Sequence, residues 1–321
     1  MSSTVNSKLY GLIGFPVRHS LSASMHNAAF NYMGINASYR LFEIEPDQLK
    51  VFLLKPSKKV CDTSGECFAA QDILGFNVTI PYKIKVKEIL EDLNPEEAVI
   101  GEEPAAEANS DQTQWDKMVS SAVNTVCRKE GGFSLYNTDA QGFLMSLERE
   151  MGFSHTGKDI MLLGCGGAGR AVVAALTYFE KPARRVYIFE NNALALKPAQ
   201  DHFRKFKFLS SIVRFISKEE IGQKIRQCHL LVNATPVGMN KGDPSPIDNE
   251  FLHKDISVYD VVYNRNTELV SQAVKRCQSA CTGLGMLLYQ GVLAWQLWID
   301  KAAPVEVMRQ ALNKSIGGMK N

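Results

Sequence analysis

The sequence predicts an α/β protein built in two parts, and three observations lead there. A glycine-rich turn near residue 165 stands between an apolar run and a helical pattern. Strand-like and helix-like patterns alternate on both sides of it, as in layered α/β folds. Roughly half of the chain precedes the turn, which is room for a separate domain in a protein of 321 residues.

The elements follow in order. Leu9–Gly14 reads as a first strand. Residues 22–33 carry Met25, Ala28, Ala29, Tyr32 and Met33 at helical intervals. Residues 39–44 alternate like a strand, and residues 74–80 form another that Pro81 stops. A helix follows through Leu93. Residues 122–127 and 133–136 read as two strands joined by the turn at 129–132. Gln141–Met151 is an amphipathic helix, and Ile160–Leu163 is a buried strand. Arg170–Leu176 is a helix, Arg185–Phe189 a strand, and residues 230–234 and 258–263 are buried strands. Residues 285–312 form closing helices long enough to pack back onto the first part. Residues 101–118 are acidic with little apolar pattern and read as an exposed insertion.

Composition narrows the function classes. The chain is 45% hydrophobic and 22% charged, which is ordinary for a globular protein. A net charge of +2 leaves no footprint for nucleic acid. The apolar run at 286–299 holds two glutamines and is too short for a bilayer, so no membrane partner is expected. No signal peptide is visible. Seven scattered cysteines suit free thiols in a reducing cytoplasm. Neither Cys61 with Cys67 nor Cys277 with Cys281 makes half of a zinc set, and no metal is expected.

The central turn, Gly164-Cys165-Gly166-Gly167-Ala168-Gly169, is G-x-G-x-x-G between strand and helix. That context marks a dinucleotide site: glycines let the backbone approach a pyrophosphate, and a helix N-terminus faces the anion. Glu190 ends the next strand, close to the expected distance of about 20 residues further on. An acid there accepts ribose hydroxyls and repels a 2′-phosphate, so the residues favour NAD while NADP stays open.

A nicotinamide enzyme acting on an alcohol needs a proton carrier and groups that hold substrate. Lys83 enters the first turn of a helix, where a cation gains nothing from the helix dipole. A solvated lysine beside Lys85 and Lys87 is the equal alternative. Asp139 stands just before the bridging helix, as an N-cap, as a partner for a lysine, or as both. Ser20 and Ser22 are helix caps or hydroxyl donors for a carboxylate, and Asn124 is a buried amide or a hydroxyl ligand.

Together these segments resemble the shikimate/quinate dehydrogenase family. The matching pieces are residues 14–22 with Met25-His26-Asn27, 75–83, 122–125, 137–142, the glycine turn, 233–239, 259–263 and 283–290. The resemblance implies reversible hydride transfer between 3-dehydroshikimate and shikimate, or 3-dehydroquinate and quinate, with a nicotinamide cofactor. Lys83 and Asp139 fall on the family's catalytic pair. Ser20 and Ser22 fall on its carboxylate binders, with Tyr263 nearby, and Thr79, Asn124 and Gln290 on its hydroxyl-binding positions. Gly164, Gly166, Gly167, Ala168, Gly169, Glu190 and Asn191 fall at the dinucleotide, and Val261 and Gly283 near the nicotinamide. The implied architecture is an N-terminal α/β substrate-binding domain over residues 1–138, completed by 288–321. A Rossmann-like, doubly wound dinucleotide-binding domain spans 139–287. The implied partner is one small acid, in a cytoplasmic protein for which a homodimer stays open.

The chain departs from the family pattern where NADP-dependent members carry Asn-Arg-Thr; here Glu190-Asn191-Asn192 lacks the arginine. Ala23 replaces a common proline after the second serine, and the 101–118 insertion is longer than usual. An NAD-linked quinate enzyme, a relative acting on an aminated analogue and a non-catalytic nucleotide-sensing regulator are the alternatives.

Overall fold

The computed structural model describes residues 7–91, 110–130, 132–178, 180–276 and 279–319. In chain order the elements begin β1 (Lys8–Gly14), α1 (Ser22–Tyr32), β2 (Ala37–Glu43), α2 (Leu49–Leu54), β3 (Lys59–Cys61) and β4 (Cys67–Ala69). Next come β5 (Ile73–Val78), α3 (Lys83–Glu91), α4 (Ser110–Ser120), β6 (Thr125–Lys129), β7 (Gly132–Tyr136) and α5 (Thr138–Met151). Then follow β8 (Asp159–Leu163), α6 (Gly167–Leu176), β9 (Arg185–Phe189), α7 (Ala193–Phe203), β10 (Val213–Phe215) and α8 (Ile221–Ile225). The chain closes with β11 (Leu230–Asn233), β12 (Ser257–Asp260), α9 (Glu268–Lys275), β13 (Ala280–Thr282), α10 (Leu284–Ile299) and α11 (Val305–Met319). They form two compact units. The first is Met1–Thr113, Ser121–Thr138 and Gln290–Asn321; the second is Gln114–Ser120 and Asp139–Tyr289.

The first unit is a five-stranded sheet in the order β2-β1-β5-β6-β7. β1 is parallel to β2 and β5, while β6 and β7 run antiparallel. Alternation along the strands gives the sheet two apolar faces. Leu9, Ile13, Phe76 and Val78 pack with Phe52 of α2, Val86 of α3 and Tyr82 just before α3. On the other side Tyr10 stacks between Phe30 and Trp298, and Phe30 meets the fully buried Trp295 at 4.9 Å. Truncating a tryptophan buried this way costs about 3–5 kcal/mol. α11 lies against α1, so the C-terminal helices do return to the N-terminal sheet.

The second unit is a six-stranded, wholly parallel sheet in the order β10-β9-β8-β11-β12-β13. This is the doubly wound dinucleotide-binding order. Ile160 and Leu162 of β8 enter one core, while Met161 and Leu163 enter the other. Burial on both faces explains why the strand reads as an unbroken apolar run. The order reverses between β8 and β11, and the carboxyl ends of strands at such a point are where ligands bind in these sheets.

Several local expectations change. Tyr32 is 69% exposed, and the buried stripe of α1 is Ser22, Met25, His26, Ala29 and Phe30. The last strand of the series stops at Asp260, not 263. α3 is described to Glu91, and the end expected at Leu93 lies outside the described residues, as do Gly131 and residues 92–109. Cys61 and Cys67 are not free thiols. They face each other across β3 and β4 and form a disulfide. The turn between them is tied by Asp62, whose Oδ1 accepts the N–H groups of Ser64 at 2.8 Å and Glu66 at 3.0 Å. Cys127, Cys165, Cys228 and Cys281 are unbridged, and Cys277 lies outside the described residues.

The acidic stretch is not wholly exposed either. From Gln114 on, α4 belongs to the second unit. Trp115 Nε1 donates to Ala174 O at 3.1 Å, and Asp116 is fully buried. Burial pushes the Asp116 carboxyl well above the carboxylate range, and the Gln141 side chain offsets only part of that. The folded chain thus keeps this proton to higher pH than the unfolded chain. Stability is lost as pH rises through the folded-state value. Asp116→Asn keeps the shape with no proton to lose. Its urea midpoint should match that of the parent near the unfolded value of about pH 4. At about pH 8 it should exceed the parent's; a gap that shrinks as pH rises would contradict this account.

Candidate active site

Two turns at the carboxyl ends of β1 and β5 build one candidate surface in the first unit. Phe15 N–H donates to Ile80 O at 3.1 Å, joining the two turns, and Thr79 N–H donates to Ile13 O at 2.9 Å. Glu43 at the end of β2 fastens the first turn, accepting Val17 N–H at 3.1 Å and Arg18 Nε at 2.8 Å. That turn delivers Ser20 and Ser22. Their hydroxyl oxygens lie 3.2 Å apart, and Ser20 Oγ accepts Ser22 N–H at 3.3 Å. Neither serine is the N-cap, which is Leu21 with no side-chain cap, although Ser20 Oγ takes the first N–H of α1. A pair of hydroxyls at a helix N-terminus suits a carboxylate.

Lys83 opens α3, and its carbonyl accepts Val123 N–H at 2.9 Å. That bond brings the start of α3 beside the segment carrying Asn124. Asn124 is buried, and its Nδ2 lies 3.5 Å from Gln290 Oε1. The first unit therefore holds Ser20, Ser22, Thr79, Lys83, Asn124 and Gln290, while Asp139 and Tyr263 belong to the second. Asp139 is buried in the first turn of α5 as its second residue, not as the cap, in a position that favours a carboxylate.

In the second unit the fingerprint glycines divide three tasks. Gly164 has φ +86°, which favours glycine. A Cβ on Gly169 would lie 2.3 Å from Gly164 O, so α6 can approach the turn only without a side chain. A Cβ on Gly166 would meet nothing within 4 Å. That open space at the N-cap of α6, with Gly167 and Ala168 in the first turn, is a cradle for a diphosphate. Arg170, in the same helix start, is buried, and its Nε has no hydrogen-bond partner among the described residues.

The Val261–Tyr263 segment follows β12 and is held by Asp260. Its Oδ1 accepts Val262 N–H at 3.1 Å and Asn233 Nδ2 at 2.9 Å, and its Oδ2 accepts Thr267 Oγ1 at 2.6 Å. Burial pushes the Asp260 carboxyl up against these bonds, which pull it down. Gly283 packs on the Val261 backbone, where a Cβ would overlap Val261 O.

Glu190 has work inside the protein. Its Oε2 accepts Cys165 N–H at 2.6 Å, and its Oε1 accepts Asn192 N–H at 2.8 Å. Both oxygens thus tie the glycine turn to the stretch holding Asn191, just before α7, and are not reserved for a ribose.

Family models match at both ends of the chain. Residues 12–102 match the shikimate dehydrogenase substrate binding domain, and residues 283–312 match the shikimate 5′-dehydrogenase C-terminal domain. Shikimate dehydrogenase (NADP(+)) of Methanopyrus kandleri is 35% identical over 317 residues, 97% of each chain. The protein of the same name from Desulforamulus reducens is 34% identical over 310 residues, 95% of this chain and 94% of that one. Among solved structures, shikimate dehydrogenase from Aquifex aeolicus superposes with a TM-score of 0.75 at 30% identity, covering 97% of this chain and 99% of that one. Shikimate 5-dehydrogenase from Thermus thermophilus, in complex with NADP(H) and shikimate, gives 0.72 at 27% identity, covering 96% and 99%. The preference for NAD drawn from Glu190 is corrected by these names, which specify NADP(+); both Glu190 oxygens already accept main-chain N–H groups, so the carboxylate has a role within the protein besides any toward a ribose. Nearly full-length similarity above 30% identity, on the expected pair of sheets, means that the chain belongs to the shikimate dehydrogenase family.

Proposed function

We propose that this chain is an NADP-dependent oxidoreductase that interconverts 3-dehydroshikimate and shikimate. The observation that carries the reading is the family membership, joined to the serine pair and the Asn124–Gln290 contact within one unit. Quinate is not carried forward, since the relatives are named for shikimate.

When bound, the nicotinamide accepts or supplies the hydride. Gly164, Gly166, Gly167, Ala168 and Gly169 would hold its diphosphate, with Asn191, Val261 and Gly283 beside the rest. Ser20 and Ser22 bind the acid's carboxylate through their hydroxyls, with Tyr263 as a further donor. Thr79, Asn124 and Gln290 bind ring hydroxyls and so fix which hydroxyl reacts. Lys83 takes the proton of that hydroxyl in oxidation and returns it to the carbonyl oxygen in reduction. Asp139 orients the lysine and binds a neighbouring hydroxyl.

The test is nicotinamide absorbance with purified protein and NADP⁺, offering shikimate and quinate in parallel. Reduction with shikimate at a kcat/KM at least about tenfold above that for quinate is the expected result. Absence of turnover with shikimate, by folded protein that still binds NADP⁺, would remove the proposal.

A further inference from the structure

The Asn124 side chain is held by a run of buried polar groups with a single direction. Thr138 N–H donates to Asn124 Oδ1 at 2.7 Å, and Asn124 Nδ2 donates to Thr138 Oγ1 at 2.9 Å. A backbone N–H can only donate, so this pair fixes which end of the carboxamide is oxygen. Behind it, Asn77 Nδ2 donates to Asn124 O at 3.1 Å and to Thr125 Oγ1 at 2.9 Å. A carbonyl can only accept, so Asn77 is fixed as well, and its Oδ1 takes the Tyr39 hydroxyl proton at 2.7 Å. Thr125 then turns its own proton to Asn124 Oδ1 at 3.1 Å. The Tyr39 ring is stacked on His26 at 4.5 Å between centroids, and among the described residues the His26 ring nitrogens have no hydrogen-bond partner.

Tyr39, Asn77, Asn124, Thr125 and Thr138 are all buried. A satisfied network in such a place holds one arrangement, because any rotation strands a donor or acceptor away from water. Flipping Asn124 would set its NH2 against Thr138 N–H, donor against donor.

We infer that Thr138, backed by Thr125 and Asn77, is a positioning residue for Asn124: its N–H sets the polarity of the carboxamide, and its hydroxyl, which accepts Asn124 Nδ2, sets the direction of the NH2 group. The NH2 end is held on the side of Gln290, where it serves as donor to a ring-hydroxyl oxygen of the substrate. The inference rests on the assignment of Asn124 to substrate made above. It makes Thr138 act through Asn124 and not on the reacting atoms.

The experiment is a double-mutant cycle on purified enzyme with shikimate and NADP⁺. Thr138→Val removes only Oγ1 and keeps the N–H bond. It should raise KM for shikimate about tenfold, the scale of one lost buried hydrogen bond. The KM for NADP⁺ and kcat should change by no more than about threefold, and Thr138→Ser should restore KM. In an Asn124→Ala background, Thr138→Val should alter KM by less than about twofold, since nothing remains to be positioned. An equal rise in both backgrounds, or a fall in kcat alone, would overturn the inference while leaving Asn124 as a ligand. An unchanged KM in Asn124→Ala itself would remove the substrate assignment, and the inference with it. If Thr138→Val does not fold, a Thr125→Val cycle with Asn124→Ala reads the same coupling.

Discussion

Replacing Lys83 with alanine is expected to lower kcat about a thousandfold while changing KM for shikimate only a few-fold. The size follows from what is removed. A positioned group that carries the proton of the reacting hydroxyl is worth about 10²–10⁴ in rate. The fold should survive. The Lys83 carbonyl that accepts Val123 N–H is main chain and stays in the variant. The side chain adds a cation to the first turn of α3, where it opposes the helix dipole by about 0.3–1 kcal/mol. The melting curve of the variant checks that the fold is kept. Lys85→Ala is the matched control: Lys85 is exposed and paired with Glu88 on the same helix at 3.0 Å. Loss of that pair should leave kcat unchanged, because exposed pairs of this spacing carry little energy. Near-normal turnover in Lys83→Ala would assign the proton to another group and return the lysine to the solvated reading.

What could be read from the sequence was what neighbouring residues determine. The glycine turn is legible because strand, turn and helix are contiguous over 160–176, and each glycine has a local task. The parallel strands are legible because burial on both faces leaves apolar runs such as 160–163. The errors lie where a distant partner decides. Glu190 looked reserved for a ribose because Cys165, 25 residues away, does not show itself as a partner in the sequence. Asp116 looked exposed because acidic residues surround it in the chain, yet the helix that carries it is drawn in by Trp115. Cys61 and Cys67 looked unpaired because β3 and β4 are three residues each, too short to show a period, so the hairpin that sets the two side by side does not show in the sequence. β10 and β13 are three residues each, too short to show a period, and were not read at all. Thr138 was quoted inside a motif and still missed as a positioning residue, since its partner Asn124 stands 14 positions earlier.

The glycine turn supports the second large effect, and it separates binding from folding. Gly166→Ala places a methyl that meets no atom of the described residues beyond its chain neighbours within 4 Å. The backbone there is extended, with φ −72°, so alanine is not strained. The melting temperature should therefore stay within about 2 °C of the parent. If the open space is where the diphosphate lies, the methyl stands in its way. Overpacking of that kind costs about 1–3 kcal/mol, which corresponds to a rise in the NADP⁺ dissociation constant of roughly 5- to 150-fold. Gly169→Ala should behave in the opposite order. Its methyl would lie 2.3 Å from Gly164 O, a backbone atom that cannot swing aside, and Gly164 itself is held at φ +86°. Either α6 or the turn must shift, so the protein should lose stability first, and nucleotide affinity falls as a consequence. Thermal melting of the two variants with and without NADP⁺ reads the distinction. In Gly166→Ala the apo curve stays in place and the stabilisation by nucleotide shrinks. In Gly169→Ala the apo curve itself moves down. A Gly166→Ala protein that is stabilised by NADP⁺ as strongly as its parent would mean that the space beside Gly166 is not the diphosphate site, and the cradle would have to lie elsewhere along the carboxyl ends of β8 and β11.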